Sequence, residues 1–163
     1  MVLILLVAVI AIYWLRPHSK FLLTIIPPSN LYNQVAKQPI TLGINNSSKN
    51  LQLTHSYIGT YLVGVYIKSP PPFGTPIESN AVLSLSVRNN DQLLFEDKFT
   101  RWASRFGGPG GKESGVILGY YKVPEDVPLW AAVHATLSID TPDPTFEKKY
   151  GDVEFFIQRK SDQ

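Results

Sequence analysis

An alternation of apolar and smaller or polar residues runs from residue 131 to residue 140 and is the clearest pattern in the chain. A period of two is typical of a β-strand with one buried face and one exposed face. His134 falls on the polar face, where we expect it to meet solvent, and Leu137 falls on the buried face. The buried face comprises Ala131, Val133, Ala135, Leu137 and Ile139.

A second apolar run, residues 116–123, precedes this strand and is β-branched or aromatic on both faces apart from Gly119 and Lys122. This composition predicts a strand that is covered more fully than the one after it. Pro124 and Pro128 lie between the two runs. Because each proline fixes φ and lacks a backbone donor, neither a helix nor a strand ladder can continue, and the chain must turn there.

Five further runs have the length and composition of strands. They are residues 40–44, 57–68, 81–88, 92–99 and 152–158. Residues 89–91, Asn-Asn-Asp, tolerate positive φ, so we predict a tight turn that joins runs 81–88 and 92–99 into a hairpin. The proline-rich residues 69–76 are predicted to form a stiff surface crossover.

The remaining pattern also favours strands, because no apolar period of 3.6 residues is sustained after the N-terminus. Short strands separated by proline and glycine are typical of two packed antiparallel sheets. The predicted fold is all-β: an antiparallel two-sheet β-sandwich of immunoglobulin-like or jelly-roll type, spanning residues 40–160. Residues 21–39 are predicted to be a linker or a first edge strand. Within them, the apolar residues 21–26 end at two prolines and are either that edge strand or an extension of the membrane segment.

The N-terminal residues 2–15 contain no charge and are followed by Arg16 and Lys20. As a helix they would span roughly 21 Å, less than the roughly 30 Å hydrocarbon core of a bilayer. We predict that residues 1–20 form either a minimal transmembrane anchor or the apolar part of a signal peptide. A buried strand or helix is the remaining alternative.

Aromatic residues beside the first positive charge favour the anchor over the signal peptide. Tyr13 and Trp14 lie close to Arg16 in the sequence, as in the aromatic belt of a membrane interface. Residues 9–11, Val-Ile-Ala, would serve as the small-residue cleavage site of a signal peptide. We therefore predict an uncleaved membrane segment, with cleavage as the alternative.

The side of the membrane on which the domain lies is predicted from the order of the segments along the chain. A short apolar N-terminus followed by a β-rich domain is typical of an exported protein, so we place the domain on the extracytoplasmic, periplasmic side. The positive-inside rule favours the opposite, cytoplasmic side, because Arg16 and Lys20 follow the apolar run. Both orientations stay open, and we prefer the first.

Charge and cysteine content exclude several classes of function. Arg16 and Lys20 account for the net charge of +2, since the other 13 basic residues balance 13 acidic ones. A near-neutral domain lacks the basic face of a nucleic-acid-binding protein. The chain has no cysteine, which excludes disulfides, thiolate metal sites and cysteine nucleophiles.

The glycine-rich residues 106–114 resemble a phosphate-binding loop but do not match its spacing. The position five before Gly111 is Phe106, and Glu113 follows Lys112 where a magnesium-binding hydroxyl is needed. A flexible loop is therefore the prediction. No serine-hydrolase elbow is present in the sequence, since Ser114 lacks the flanking glycines.

Metal binding has little support in the sequence. His18, His55 and His134 are not at ligand spacing. A loop with three carboxylates, Asp140, Asp143 and Glu147, could suggest calcium, but the full ligand count is missing and a solvated turn is expected. We predict no catalytic residue, no metal and no cofactor, and hence a protein that is not an enzyme.

Four residues of one segment are the candidate binding residues. They are Arg101, Trp102, Arg105 and Lys112. This segment combines basic and aromatic residues without an acid, and loops of this kind on a rigid scaffold often carry binding sites. The alternative is that Trp102 and Phe106 close the end of the core while the arginines are solvated.

The function predicted from these features is that of a non-enzymatic, membrane-anchored, extracytoplasmic β-sandwich. Residues 2–15 would contact the membrane, and the domain would bind another protein as an accessory subunit of an envelope complex. The alternative is a carbohydrate-binding module, in which exposed aromatic rings stack on sugars. The rings considered are Trp102, Trp130, Tyr120 and Tyr121.

Overall fold

Nine strands and three α-helices are found in the computed structural model, which describes residues 2–72, 74–102, 105–107, 114–123 and 128–161. The strands are β1 (Gln34–Ile40), β2 (Ser47–Thr54), β3 (Gly59–Ile67), β4 (Val82–Asn89), β5 (Gln92–Phe99), β6 (Arg105–Gly107), β7 (Ser114–Val123), β8 (Ala132–Thr141) and β9 (Val153–Arg159). The helices are α1 (Val2–Leu15), α2 (Lys20–Ile25) and α3 (Pro144–Tyr150), with a 3₁₀ turn at Arg16–His18.

The strands form two antiparallel sheets that pack on a common core. One sheet has the order β1-β9-β3-β7-β6 and the other the order β2-β8-β4-β5. Inward side chains of both sheets, among them Val65, Leu85, Leu137 and Phe155, belong to one buried cluster. The prediction of an all-β, antiparallel two-sheet sandwich is therefore confirmed.

The alternation predicted for β8 is found in the structure. Val133, Ala135, Leu137 and Ile139 are buried, whereas His134 is exposed. The predicted hairpin is also present, since β4 and β5 pair from Leu83 with Phe99 to Asn89 with Gln92. Asn90 has a φ of 51° at the turn, in the left-handed region that asparagine tolerates.

Some local predictions are corrected. The strand predicted at residues 40–44 is not formed there. The observed strand β1 instead covers Gln34–Ile40, ends at the first residue of the predicted one and pairs with β9 at the edge of its sheet. Residues 21–26 do not form a strand, because α2 occupies them. β2 and β6 were not predicted.

The loop with three carboxylates is not a simple turn, because it contains α3. Asp143 caps this helix: its Oδ1 accepts hydrogen bonds from the amides of Thr145 and Phe146, both at 3.2 Å. Capping of this kind stabilises a helix by about 1 kcal/mol. Pro144 takes the first helical position, where its missing amide costs nothing.

The N-terminal helices meet the sandwich at one end. The amide of Ile58 donates to the Pro17 carbonyl at 3.0 Å, and Leu23 of α2 is buried in a small cluster at that point. The cluster comprises Leu23, Leu31, Tyr57, Ile58 and Leu129. We call this end, which includes Thr54, Gly59 and Ala132, the helix end. The opposite end, with Ser47, Ile67 and Thr141, is the far end.

α1 extends from the helix end with every described side chain from Ile4 to Leu15 exposed. None of the helices within the described residues has both the length and the apolar character needed to cross a bilayer.

Candidate functional site: a polar pocket at the helix end

A pocket of about 250 Å³ lies at the helix end, between the segment that follows α2 and the loop from β2 to β3. Its lining is mainly amide and hydroxyl side chains: Asn30, Leu31, Asn33, Gln34, Val35, Thr54, Ser56, Tyr57 and Tyr61. The hydroxyl of Tyr57 donates to Oδ1 of Asn30 at 2.6 Å, which joins the two walls. The pocket is therefore suited to neutral, hydrogen-bonding ligands.

A buried histidine lies behind the pocket wall. Thr54 and Ser56 line the pocket, while His55 between them turns into the protein and is 2% exposed. Its Nε2 is 2.7 Å from the Tyr121 hydroxyl, and its ring meets Tyr61 edge-on at 4.7 Å. Among the described residues, Nδ1 has no hydrogen-bond partner.

Burial decides the protonation state of this group. It lowers the pKa of His55 to about 4, because the charged ring would lose its hydration. Burial also raises the pKa of Tyr61 to about 12, against the influence of the nearby Arg159 guanidinium. At neutral pH His55 is therefore uncharged, and the His55–Tyr121 contact is a neutral hydrogen bond within the core.

Arg159 closes the same end of the core. It is buried, and its Nε donates to the Ile58 carbonyl at 3.0 Å. Gly59 has a φ of 133°, and a Cβ there would lie 3.0 Å from the guanidinium. Only glycine fits both the backbone conformation and this close approach.

Acid should destabilise the sandwich through His55. The unfolded chain binds a proton near pH 6.5 and the folded chain only near pH 4, so stability is lost as the pH falls between these values. The full difference corresponds to roughly 3 kcal/mol. Urea unfolding of the wild-type protein between pH 7 and pH 4 should show this loss.

The matched variants for this test are His55→Phe and His134→Phe. The first should remove most of the loss between pH 6.5 and 4, whereas the second, at an exposed position, should leave it in place. Asp140 and Asp143 have lowered pKa values, so their stabilising contributions are lost mainly below the ordinary value of 3.8. An unchanged acid profile in His55→Phe would contradict the assignment.

Of the four predicted binding residues, the structure describes the side chains of Arg101 and Trp102 alone. Trp102 is buried at the far end, where its Nε1 donates to the Ala81 carbonyl at 3.0 Å and its ring lies 4.8 Å from Phe146. Arg101 is exposed. Arg105 belongs to β6, but nothing is described of its side chain, and Lys112 lies outside the described residues.

Phe106 lies on the outer face of the five-stranded sheet. Its ring is 5.8 Å from Tyr66 and 5.6 Å from Phe156. Trp102 therefore packs as the core-closing alternative expects, while Phe106 covers a sheet face instead of a core end. A role in binding stays a prediction for Arg101, Trp102, Arg105 and Lys112.

The four aromatic residues considered for sugar stacking do not form one platform. Trp102 and Tyr121 are buried, whereas Tyr120 and Trp130 are exposed. Tyr120 and Tyr121 are consecutive in β7 and so point to opposite faces of the sheet. The Lys160 ammonium lies 4.9 Å from the centre of the Tyr120 ring.

Each of the three loop carboxylates has a structural partner. Oε1 of Glu147 accepts from the Leu42 amide at 2.7 Å, and Asp140 binds Ser84 at 2.6 Å and Lys98 at 3.1 Å. Burial alone would raise the pKa of Asp143, but its hydrogen bonds, led by that of Thr145, outweigh this and lower it. In the part of the chain that is described, no three metal-binding side chains form a cluster.

Comparisons with known proteins bear on the fold alone. No family model and no curated protein matches the chain. The crystal structure of GEBA250068378 from Sulfurospirillum deleyianum is similar, with a TM-score of 0.51 and 8% sequence identity. The match covers 77% of this chain and 97% of that chain, so the similarity extends over nearly the whole of the other fold.

Proposed function

We propose that the protein is a non-enzymatic β-sandwich tethered to a membrane through residues 2–15. The observation that carries this proposal is the exposure of α1. Its described side chains, Ile4 to Leu15, are apolar or aromatic, and all of them are exposed. A helix that is apolar on every side requires an apolar environment, and a bilayer supplies one.

The junction between α1 and the sandwich supports a tether. Tyr13 and Trp14 are exposed at the end of α1 and are separated from Arg16 by Leu15 alone. Aromatic rings and a cation in this order suit the boundary between hydrocarbon and water. The 14 residues of α1 are short for a bilayer, and local thinning together with extension of flanking side chains accommodates such a mismatch.

The domain is proposed to lie on the extracytoplasmic side and to bind a partner protein. A scaffold with loops at both ends supports a binding role, since loops on a rigid sandwich commonly carry recognition residues. The described lining of the pocket also supports binding over catalysis, because it contains amides, hydroxyls and apolar groups and no charged side chain. Exposed Arg101 remains the described candidate for contact with a partner.

Carbohydrate binding is the second candidate, and one observation favours it. The polar pocket presents amide and hydroxyl groups next to Tyr57, whose ring meets exposed Trp130 edge-on at 6.1 Å. Sugars are bound by such combinations of hydrogen-bonding groups and aromatic rings.

Protease accessibility in spheroplasts tests the proposed side of the membrane. A protease added to intact spheroplasts that carry the full chain should degrade the sandwich, because the domain lies outside. Chemical cross-linking before digestion should capture a protein partner, whereas retention of the purified protein on an immobilised oligosaccharide would favour the second candidate. Degradation only after permeabilisation would contradict the proposed side and support the cytoplasmic orientation.

A further inference from the structure

We propose that the helix end of the sandwich lies directly against the phospholipid head-group region, held there by α2 and by the indole of Trp130. This inference rests on the proposed tether and adds a second, peripheral contact with the membrane. Its consequence is a fixed orientation of the domain, whereas a tether alone would let the domain turn freely.

α2 is apolar on two opposite sides. Leu23 is 1% exposed and packs into the small cluster at the helix end. Phe21 and Ile25, four residues apart and therefore on one side of the helix, are 70% and 58% exposed. Side chains two positions from Leu23 in either direction point away from the sandwich. The outward side of α2 therefore presents apolar groups where a soluble surface would present polar ones.

Trp130 is held in an unusual conformation that exposes its ring. Its φ is 70°, in the left-handed region that large side chains rarely adopt. The amide of Trp130 donates to the His55 carbonyl at 2.9 Å, and the preceding Leu129 is buried in the small cluster. The backbone is thus fixed while the indole remains 57% exposed. Strained residues of this kind cluster at binding sites.

The chemistry of this surface matches a membrane interface. Tryptophan prefers the head-group level of a bilayer, where its ring is partly in apolar surroundings and its N–H stays hydrated. Arg16 lies between α1 and α2, Lys20 is the first residue of α2, and the first carboxylate of the chain is Glu78. Cations in this position suit lipid phosphates.

Continuity with the tether selects the lipid surface as the occupant. The 3₁₀ turn follows α1 without a gap. Within that turn, the Pro17 carbonyl accepts a hydrogen bond from the Ile58 amide of the sandwich. Once α1 enters a bilayer, α2 and the loop with Trp130 cannot move far from its surface. Burial of Phe21, Ile25 and Trp130 then needs no further partner.

Single spin labels measure the depth of these residues, and the chain has no cysteine of its own to compete for the label. Trp130→Cys, Phe21→Cys and Ile25→Cys place labels on the proposed surface. Ile44→Cys is the matched control, because Ile44 is 56% exposed and lies at the far end, between β1 and β2. Each full chain is labelled and reconstituted into vesicles of phosphatidylcholine and phosphatidylglycerol.

The proposal predicts that labels at the helix end collide with oxygen more, and with a water-soluble nickel chelate less, than the label at Ile44. The ratio of the two collision rates should differ several-fold. Quenching of native tryptophan fluorescence by brominated lipids should also fall in a Trp130→Phe chain, which checks the result without a label. Trp14→Phe in all samples removes the signal from α1.

Failure of this inference is distinguishable from failure of the tether. A chain that floats with the vesicles but whose helix-end labels are as accessible to nickel as Ile44 overturns the docking and leaves the tether intact. A chain that does not float with the vesicles overturns both.

Discussion

Leu137→Asp is expected to leave no folded sandwich at ordinary temperature. Leu137 is 2% exposed in the centre of β8, where its neighbours across the two ladders are Lys49 and Leu85. A carboxylate at this position loses its hydration, and the ammonium of Lys49 is already engaged, since it donates to the Pro39 carbonyl at 2.6 Å. The cost is several kcal/mol, against a total stability of about 5–15 kcal/mol for a domain.

The control for this prediction is one face away on the same strand. His134 is exposed and lies opposite Gln52 and Arg88. His134→Asp should therefore shift the melting temperature by only a few degrees. Circular dichroism during heating measures both variants. Equal melting temperatures in the two variants would show that the inward and outward faces of β8 had been assigned incorrectly.

The central strands could be predicted from sequence because burial imposes a pattern on them. β8 lies between β2 and β4 in a sheet that covers the core with one face only. Its inward side chains must therefore be apolar and its outward ones need not be, which produces the alternation around Leu137. The hairpin of β4 and β5 could be predicted from Asn90, since few residues accept its φ.

Two of the edge strands, β1 and β2, carry a weak signal in the sequence because little of them is buried. In β2 only Leu53 is fully buried, and in β1 only Ile40. β1 even contains Pro39, which an edge strand tolerates because half of its amides have no partner strand. β1 is held in place by hydrogen bonds to β9, and β2 by hydrogen bonds to β8. In both pairs the partner strand is distant in sequence, so no local pattern reveals the pairing.

Two helices were missed for different reasons. α3 carried a readable signal, since Asp143 and Pro144 form a cap followed by a favoured first residue. α2 carried a weaker one: its Ser19 cap bonds the Leu22 amide at 3.3 Å, but the six residues of the helix are mostly apolar without a clear period. α2 is stabilised by the packing of Leu23 on the sandwich, and this contact cannot be seen in the sequence.

The pocket at the helix end could not be predicted because its walls are distant in sequence. Residues 30–35 and 54–61 meet only through the fold, and His55 behind them contacts Tyr121 of β7. Single histidines carry no local signal of burial. The segment with Trp102 was detected by its composition, which does not distinguish a ring that binds a partner from one that closes the core.

The most direct test of the account is membrane retention of a chain whose α1 carries two lysines. Val7 and Ile10 are exposed near the middle of α1, and a lysine at the centre of a membrane helix costs about 2.5–3.5 kcal/mol each for insertion. The control, Ile44→Lys with Leu93→Lys, adds the same charge at exposed apolar positions of the sandwich. Carbonate extraction of isolated membranes measures retention.

The wild-type chain and the Ile44→Lys, Leu93→Lys control should stay in the membrane at full length, and the Val7→Lys, Ile10→Lys chain should move to the soluble fraction with its sandwich folded. A shortened wild-type chain in the soluble fraction would identify residues 2–15 as a cleaved signal. A Val7→Lys, Ile10→Lys chain that still resists extraction as the wild type does would contradict the proposal that α1 is the tether.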